Sequence, residues 1–130
     1  MIVVDNSVLI SAFLETGRRG DSAREVMKRP DLTAPELIDV EAVHSVRGLL
    51  RSGQITRTSA DRFVTELPDL AIQRIPHRPL LGRMWELRDN LTAYDAAYVA
   101  LAEDLHVTLA TGDRALLTAP GIRCPVELIT

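Results

Sequence analysis

Residues 91–113 read LTAYDAAYVALAEDLHVTLATGD, and this stretch decides the class of fold. Its first part, AYDAAYVALAEDL, is rich in alanine, leucine and valine and has the length of an ordinary helix. Thr92 stands three residues before Asp95, as in a capping box ahead of an apolar run. VTLAT then reads as a short buried strand and runs directly into Gly112 and Asp113. A helix that delivers the chain into an apolar strand is one turn of an α/β alternation. Asp95 poses a question of its own. A local answer is that it satisfies backbone donors in the positive end of the helix dipole. The remaining acids of the chain decide whether it does more.

Working outward, the alternation continues in both directions. MIVVD is a β-branched run suited to a buried strand, and SVLISAFLE after it has helical character, broken by Gly17 and Gly20. DSAREVMKR reads as a second helix stopped by Pro30. LTA is a short strand before Pro35, which is read as the first residue of a long helix through about Arg51, ended by Gly53. TRTSADRFVTELP is a helix, LAIQRI a strand by alternation, and PLLGRMWELRDN a helix. Beyond the opening stretch, RALLT is a short helix and VELI a last strand. Strands alternating with helices imply an α/β fold with a largely parallel sheet covered on both faces. The expected organisation is one domain over residues 1–130, a size at which folding buries about two-thirds of the unfolded surface.

Composition narrows the function classes. No apolar run reaches the length of a membrane span, and MIVVDNSVLI has no positive region before its apolar stretch, so no signal peptide is expected. The lone Cys124 rules out an internal disulfide framework and fits a reducing, cytoplasmic location. The net charge of −3 gives no general pull towards nucleic acid. Lys28 is the one lysine among fifteen basic residues, and the small groups Arg18–Arg19, Lys28–Arg29 and Arg47–Arg51 are too short to form a basic tail. His44, His77 and His106 lack metal-ligand spacing and are read as surface residues, and Trp85, Tyr94 and Tyr98 as packing.

The acids form a pattern. In open α/β sheets ligands bind beyond the carboxyl ends of strands. MIVVD ends in Asp5, VTLAT runs into Asp113, and Asp95 opens the helix leading to the second of these strands. Each aspartate alone has a turn or cap explanation; their shared edge favours a site. The long helix adds two further acids. Ile38, Ala42, Val43, Val46, Leu49 and Leu50 form its core-facing arc, with Asp39 inside it and Glu41 outside, beside Leu37, His44, Ser45 and Gly48. Periodicity leaves the choice between Asp39 and Glu41 open.

VVDNSVLISAFL, PELIDVEAV, LTAYDAAYVALAEDL and LATGDRALL, in this order, resemble the PIN-domain ribonucleases that serve as toxins in VapBC-type toxin–antitoxin pairs. The resemblance covers nearly the whole chain and implies a three-layer α/β/α PIN domain. It places the family's acidic cluster on Asp5, Glu41, Asp95 and Asp113, choosing Glu41 over Asp39, with Ser7 at the family's hydroxyl position and Thr92 as a helix cap. Asn6 departs from the usual pattern. The resemblance further implies an Mg²⁺- or Mn²⁺-dependent endoribonuclease leaving a 5′-phosphate and a 3′-hydroxyl. It also implies an RNA substrate, a VapB-type antitoxin as partner, and a homodimer, in which the sequence suggests that the early helices take part.

Elementary chemistry agrees with such a cluster. Carboxylates titrate near about pH 4, so four together at neutral pH repel by a few kcal/mol at an effective dielectric of roughly 20. Hard oxygen donors without a thiolate suit Mg²⁺ or Mn²⁺. A phosphoryl-accepting receiver domain would need a late lysine, and a haloacid-dehalogenase-type phosphatase an aspartate where Ser7 stands. A catalytically inactive PIN-like binding module is the alternative from another class, and the presence of all four acids weighs against it.

Overall fold

A computed structural model describes residues 1–130. The chain forms strands β1 (Ile2–Val4), β2 (Leu32–Pro35), β3 (Ile72–Ile75), β4 (Leu109–Thr111) and β5 (Val126–Leu128). Between them lie helices α1 (Asn6–Leu14), α2 (Gly17–Met27), α3 (Ile38–Arg51), α4 (Arg57–Glu66), α5 (Leu81–Glu86) and α6 (Ala93–Leu105). The strands make one sheet in the order β3-β2-β1-β4-β5, and every pairing is parallel. With six helices flanking it, this is the three-layer α/β/α arrangement. The central strands are apolar throughout because the layers cover both faces: Val3, Val4, Leu109 and Ala110 are fully buried. No helix is long and apolar enough to cross a membrane.

Strand order fixes where a site can form. β1 pairs with β2 on one side and with β4 on the other, through Val3↔Leu109 and Val4↔Ala110. The chain therefore reverses direction across the sheet at β1, and a crevice opens beyond the carboxyl ends of β1 and β4. Asp5 follows β1 directly, and Asp113 follows β4 after Gly112.

α6 has the bounds expected of AYDAAYVALAEDL. Ala96 through Ala102 are all buried, so this helix runs through the core and not over it. Its alanines let the backbone lie close to β1 and β2, and the left-handed His106 (φ 56°) closes its end by donating to Ala102 and Glu103.

Several expectations are corrected. α2 begins at Gly17, so the glycine pair opens the second helix. Gly20 lies inside it because an added Cβ would come 2.3 Å from the Glu15 carbonyl oxygen. Pro35 ends β2, paired with Ile75, and α3 starts at Ile38; a final strand residue tolerates a proline with no N–H to give. The buried stripe of α3 is Ile38, Ala42 and Val46, while Val43 and Leu50 are exposed. Helix α3 is thus rotated from the expected arc, which turns Glu41 towards the sheet edge. Asp39 accepts from Arg74 Nη2 at 3.1 Å, and Arg74 also donates to the carbonyls of Leu67, Leu70 and Ile72. The helix expected over PLLGRMWELRDN shrinks to α5 after a 3₁₀ turn. Leu80 and Leu87 enter the core while Trp85 stays 68% exposed under the Arg88 guanidinium, 4.6 Å from its ring centroid. Tyr94 is likewise exposed.

Candidate active site

Asp5 is 5% exposed and serves as the N-cap of α1, accepting the Val8 N–H at 3.3 Å. Two hydroxyls also donate to its carboxylate: Ser7 to Oδ1 and Thr111 to Oδ2. Ser7 in turn accepts the Gly112 N–H at 2.7 Å, which ties the end of β1 to the end of β4. The side chain therefore has one orientation, set by both strands. Burial raises its carboxyl above the ordinary range, and the nearby Asp95 adds to this. The three hydrogen bonds pull the other way without prevailing.

Glu41 arrives from α3 and is held by a tyrosine. Tyr98, in the middle of α6, is 1% exposed and donates its hydroxyl to Glu41 Oε1 at 2.5 Å. Burial raises the Glu41 carboxyl, the Tyr98 hydrogen bond opposes this, and Asp5 and Asp95 raise it again by repulsion. Burial and the same glutamate push the Tyr98 phenol far up, so it remains a neutral donor. One turn along α3, Ser45 accepts from Asn6 Nδ2 at 2.8 Å, clasping α3 to the start of α1. The buried Asn6 Oδ1 has no hydrogen-bond partner.

Asp95 lies in the first turn of α6, where its backbone N–H donates to the capping Thr92 hydroxyl at 3.2 Å. Its own carboxylate lines the crevice. Burial raises this carboxyl and Asp113 adds repulsion, while a hydrogen bond from the Thr92 side chain opposes both without prevailing. Asp113 caps the short 3₁₀ turn Arg114–Leu117 by accepting from Ala115 N at 2.9 Å. It is the most exposed of the four acids.

All four acids line one open cleft of about 500 Å³ at the carboxyl edge of the sheet. Three elements of the chain bring them there: the β1–α1 junction, α3, and the α6–β4 unit with its following turn. No three of the chain's carboxylates, imidazoles and thiol converge tightly enough to enclose one ion in this arrangement. The donor chemistry nevertheless fits a hard divalent cation. Every candidate ligand is a carboxylate oxygen, and repulsion among Asp5, Glu41, Asp95 and Asp113 would be relieved by positive charge. Asp39, the rival to Glu41, is committed to Arg74 away from the cleft.

Sequence reasoning missed Thr111, the positioning part of Tyr98, and Arg19. Thr111 stands beside Asp5 only because Val4 pairs with Ala110, a register no single segment reveals. Tyr98 occupies the apolar face of its helix, and an apolar face gives no sign that its hydroxyl finds an acid on another helix. Arg19 was visible as half of a basic pair, but its place in an acidic cleft depends on how α2 packs on α1.

The family model for the PIN domain matches residues 2–121. Ribonuclease VapC1 of Mycobacterium tuberculosis is 39% identical over 128 residues, spanning 98% of this chain and 96% of its own. VapC ribonuclease Mb0985 of Mycobacterium bovis is 36% identical over 129 residues, spanning 99% and 98%. Among solved structures, FitAcB from Neisseria gonorrhoeae shares the fold with a TM-score of 0.69, over 97% of this chain and 96% of that one, at 17% identity. VapBC2 from Rickettsia felis, bound to a DNA fragment from its promoter, does so with a TM-score of 0.68 over 98% of each chain, at 13% identity. With its parallel sheet, its acids gathered beyond β1 and β4, and relatives matched end to end, the chain belongs to the PIN-domain family, among the VapC ribonucleases.

Proposed function

We propose that this protein is a divalent-metal-dependent endoribonuclease and the toxin of a toxin–antitoxin pair, acting as one PIN domain in the cytoplasm. The gathering of Asp5, Glu41, Asp95 and Asp113 in one cleft carries the reading. Asp5, Glu41 and Asp95 would hold Mg²⁺ or Mn²⁺, with Asp113 as an outer member. Such a cation supplies Lewis-acid activation of water and charge stabilisation at the scissile phosphate. The chain's own residues do the orienting. Ser7, Thr111 and the Val8 N–H fix Asp5, Tyr98 fixes Glu41, and Thr92 caps the helix that carries Asp95. No side chain in the cleft needs to act as nucleophile, and the family resemblance implies products with a 5′-phosphate and a 3′-hydroxyl.

The cleft also suggests how the activity is restrained. An acidic pocket admits an arginine from a partner's tail through bidentate carboxylate contacts. Beside it lies a groove of about 340 Å³, sharing Ile10, Glu15 and Leu49 with the cleft and adding Leu14 and Ile55. Apolar side chains of an antitoxin helix would fill that groove while the arginine blocks the acids. Solved toxin–antitoxin complexes with this fold support the reading. The exposed Val40 and Val43 of α3 and Phe13 of α1 offer apolar surface for a homodimer.

The test is cleavage by purified protein. Wild type should cut RNA with Mg²⁺ or Mn²⁺ and stop with chelator, while Asp5→Asn and Asp95→Asn should each lose at least about a thousandfold in rate with the fold intact. Near-normal cutting by either variant removes that residue from the site. Failure of the neighbouring open reading frame's product to co-purify or suppress cleavage ends the antitoxin reading alone.

A further inference from the structure

Among the side chains lining the acidic cleft, Arg19 is the one cation. It projects from the first turns of α2, donating from Nε to Ser11 Oγ at 3.3 Å and from Nη1 to the Gly112 carbonyl at 3.2 Å, with Glu15 3.4 Å from Nε. Neither N–H of Nη2 has a protein acceptor, and the side chain is 44% exposed. Resting on the proposed ribonuclease function, we infer that Arg19 is the phosphate-holding residue of the cleft, gripping the RNA backbone where it enters the acidic cluster.

Two observations separate this from a purely structural arginine. First, the structural tie between α1 and α2 is already made by Arg24, whose Nη1 donates at 3.0 Å to the carbonyls of both Ala12 and Glu15. Arg19's own contacts are longer and leave half its fork free. Second, the chain keeps a glycine against the guanidinium. Gly112 has no positive φ to require it, yet a Cβ there would lie 2.3 Å from Arg19 Nη2 and 3.2 Å from Ser7 Oγ. A larger residue would displace Arg19 from the strand end that carries Asp113. Gly112 thus leaves room for the tip of Arg19 at the mouth of an anionic site.

Charge explains the need. RNA brings a negative phosphate to a cleft lined by five carboxylates, the four acids and Glu15, on a chain whose net charge is −3 and offers no general attraction. A guanidinium fork with two free donors matches phosphate oxygens, and its tethers to Ser11 and Gly112 leave less freedom to lose on binding.

The experiment compares Arg19→Gln and Arg19→Lys with wild type. Cleavage of a fluorescent mixed-sequence single-stranded RNA gives kcat and KM with Mg²⁺. Binding of the same RNA is measured by anisotropy in the Asp95→Asn background, between about 50 and about 200 mM salt. Arg19→Gln should raise KM and Kd about tenfold, leave kcat within about twofold, and flatten the salt dependence by about 0.7 of a log unit per log unit. Arg19→Lys should restore the salt slope but only part of the affinity, and both variants should melt with wild type. An unchanged Kd and slope overturns the inference, as does a fall in kcat at constant KM, or weaker binding explained by a lower melting temperature. If wild type binds RNA in the Arg19-dependent way but cuts nothing, the nuclease reading fails and the phosphate contact stands. If it binds no RNA at all, both fail.

Discussion

Replacing Tyr98 with phenylalanine removes one hydroxyl and leaves the ring in place, so it isolates the bond that holds Glu41. The ring is 1% exposed and packs in the middle of α6, where phenylalanine fills the same space. The lost bond is a 2.5 Å donation to Glu41 Oε1. Hydrogen bonds to charged groups contribute about 1.5–3 kcal/mol. Glu41 faces the cleft and can recover water, which favours the lower end, about 1.5 kcal/mol. For a domain of this size that lowers Tm by about 5 °C. Two functional effects should accompany it. The hydroxyl opposes the upward shift of the Glu41 carboxyl, so removing it keeps Glu41 protonated to higher pH, and the acid limb of the cleavage profile moves upward. A ligand that loses its orienting partner weakens metal affinity by about 10- to 100-fold. Calorimetry gives the first number, and cleavage rates across Mg²⁺ concentration and pH give the others. If Tm falls as expected while the Mg²⁺ dependence and acid limb coincide with wild type, Tyr98 is only a core residue. Any hold of Glu41 on the cation would then not depend on that bond.

Asp5→Asn should be at least as stable as wild type at pH 7, by calorimetry. Burial raises the Asp5 carboxyl, so its favourable contribution is full below the ordinary aspartate range and is lost as pH rises through the raised value; asparagine never ionises and caps α1 equally well, and the difference should shrink towards about pH 4. Glu103→Gln should cost about 1–2 kcal/mol at pH 7 in denaturant melts, because Arg83 donates to Glu103 at 2.6 and 3.1 Å where both are half-buried. Burial opposes ionisation of Glu103, but the Arg83 bond and the Arg123 N–H outweigh it and lower the carboxyl, so the cost should fade as pH drops below about 4. Gly20→Ala should cost about 2–3 kcal/mol, since the new Cβ meets backbone oxygen at 2.3 Å; a melt unchanged from wild type would mean that α2 shifts freely on α1.

The elements legible in the sequence were those whose pattern is local. α6 and the strand after it were readable because a long apolar helix and a β-branched run each carry their own period and punctuation. Errors arose where a distant contact decides. Pro35 looks like a helix opener until its pairing with Ile75 is known, and Trp85 looks like core until Leu80 and Leu87 take the buried positions. α3 carries more apolar residues than one face can bury, so its wheel could not show that Ile38, Ala42 and Val46 win and swing Glu41 into the cleft. Asp39, puzzling in the pattern, is explained by Arg74, which lies 35 positions away. The four acids were named from resemblance and strand ends, whereas their supports, Thr111 and Tyr98, became visible only with the sheet register and helix packing.

Asp5, Glu41 and Asp95 are proposed to hold one divalent-metal site together. Calorimetric titration of purified protein with Mn²⁺ tests it most directly, with Asp5→Asn, Glu41→Gln and Asp95→Asn beside wild type. Wild type should bind saturably and each variant at least about tenfold more weakly, with melting curves that show a folded chain. Equal Mn²⁺ affinity in wild type and all three variants would contradict it.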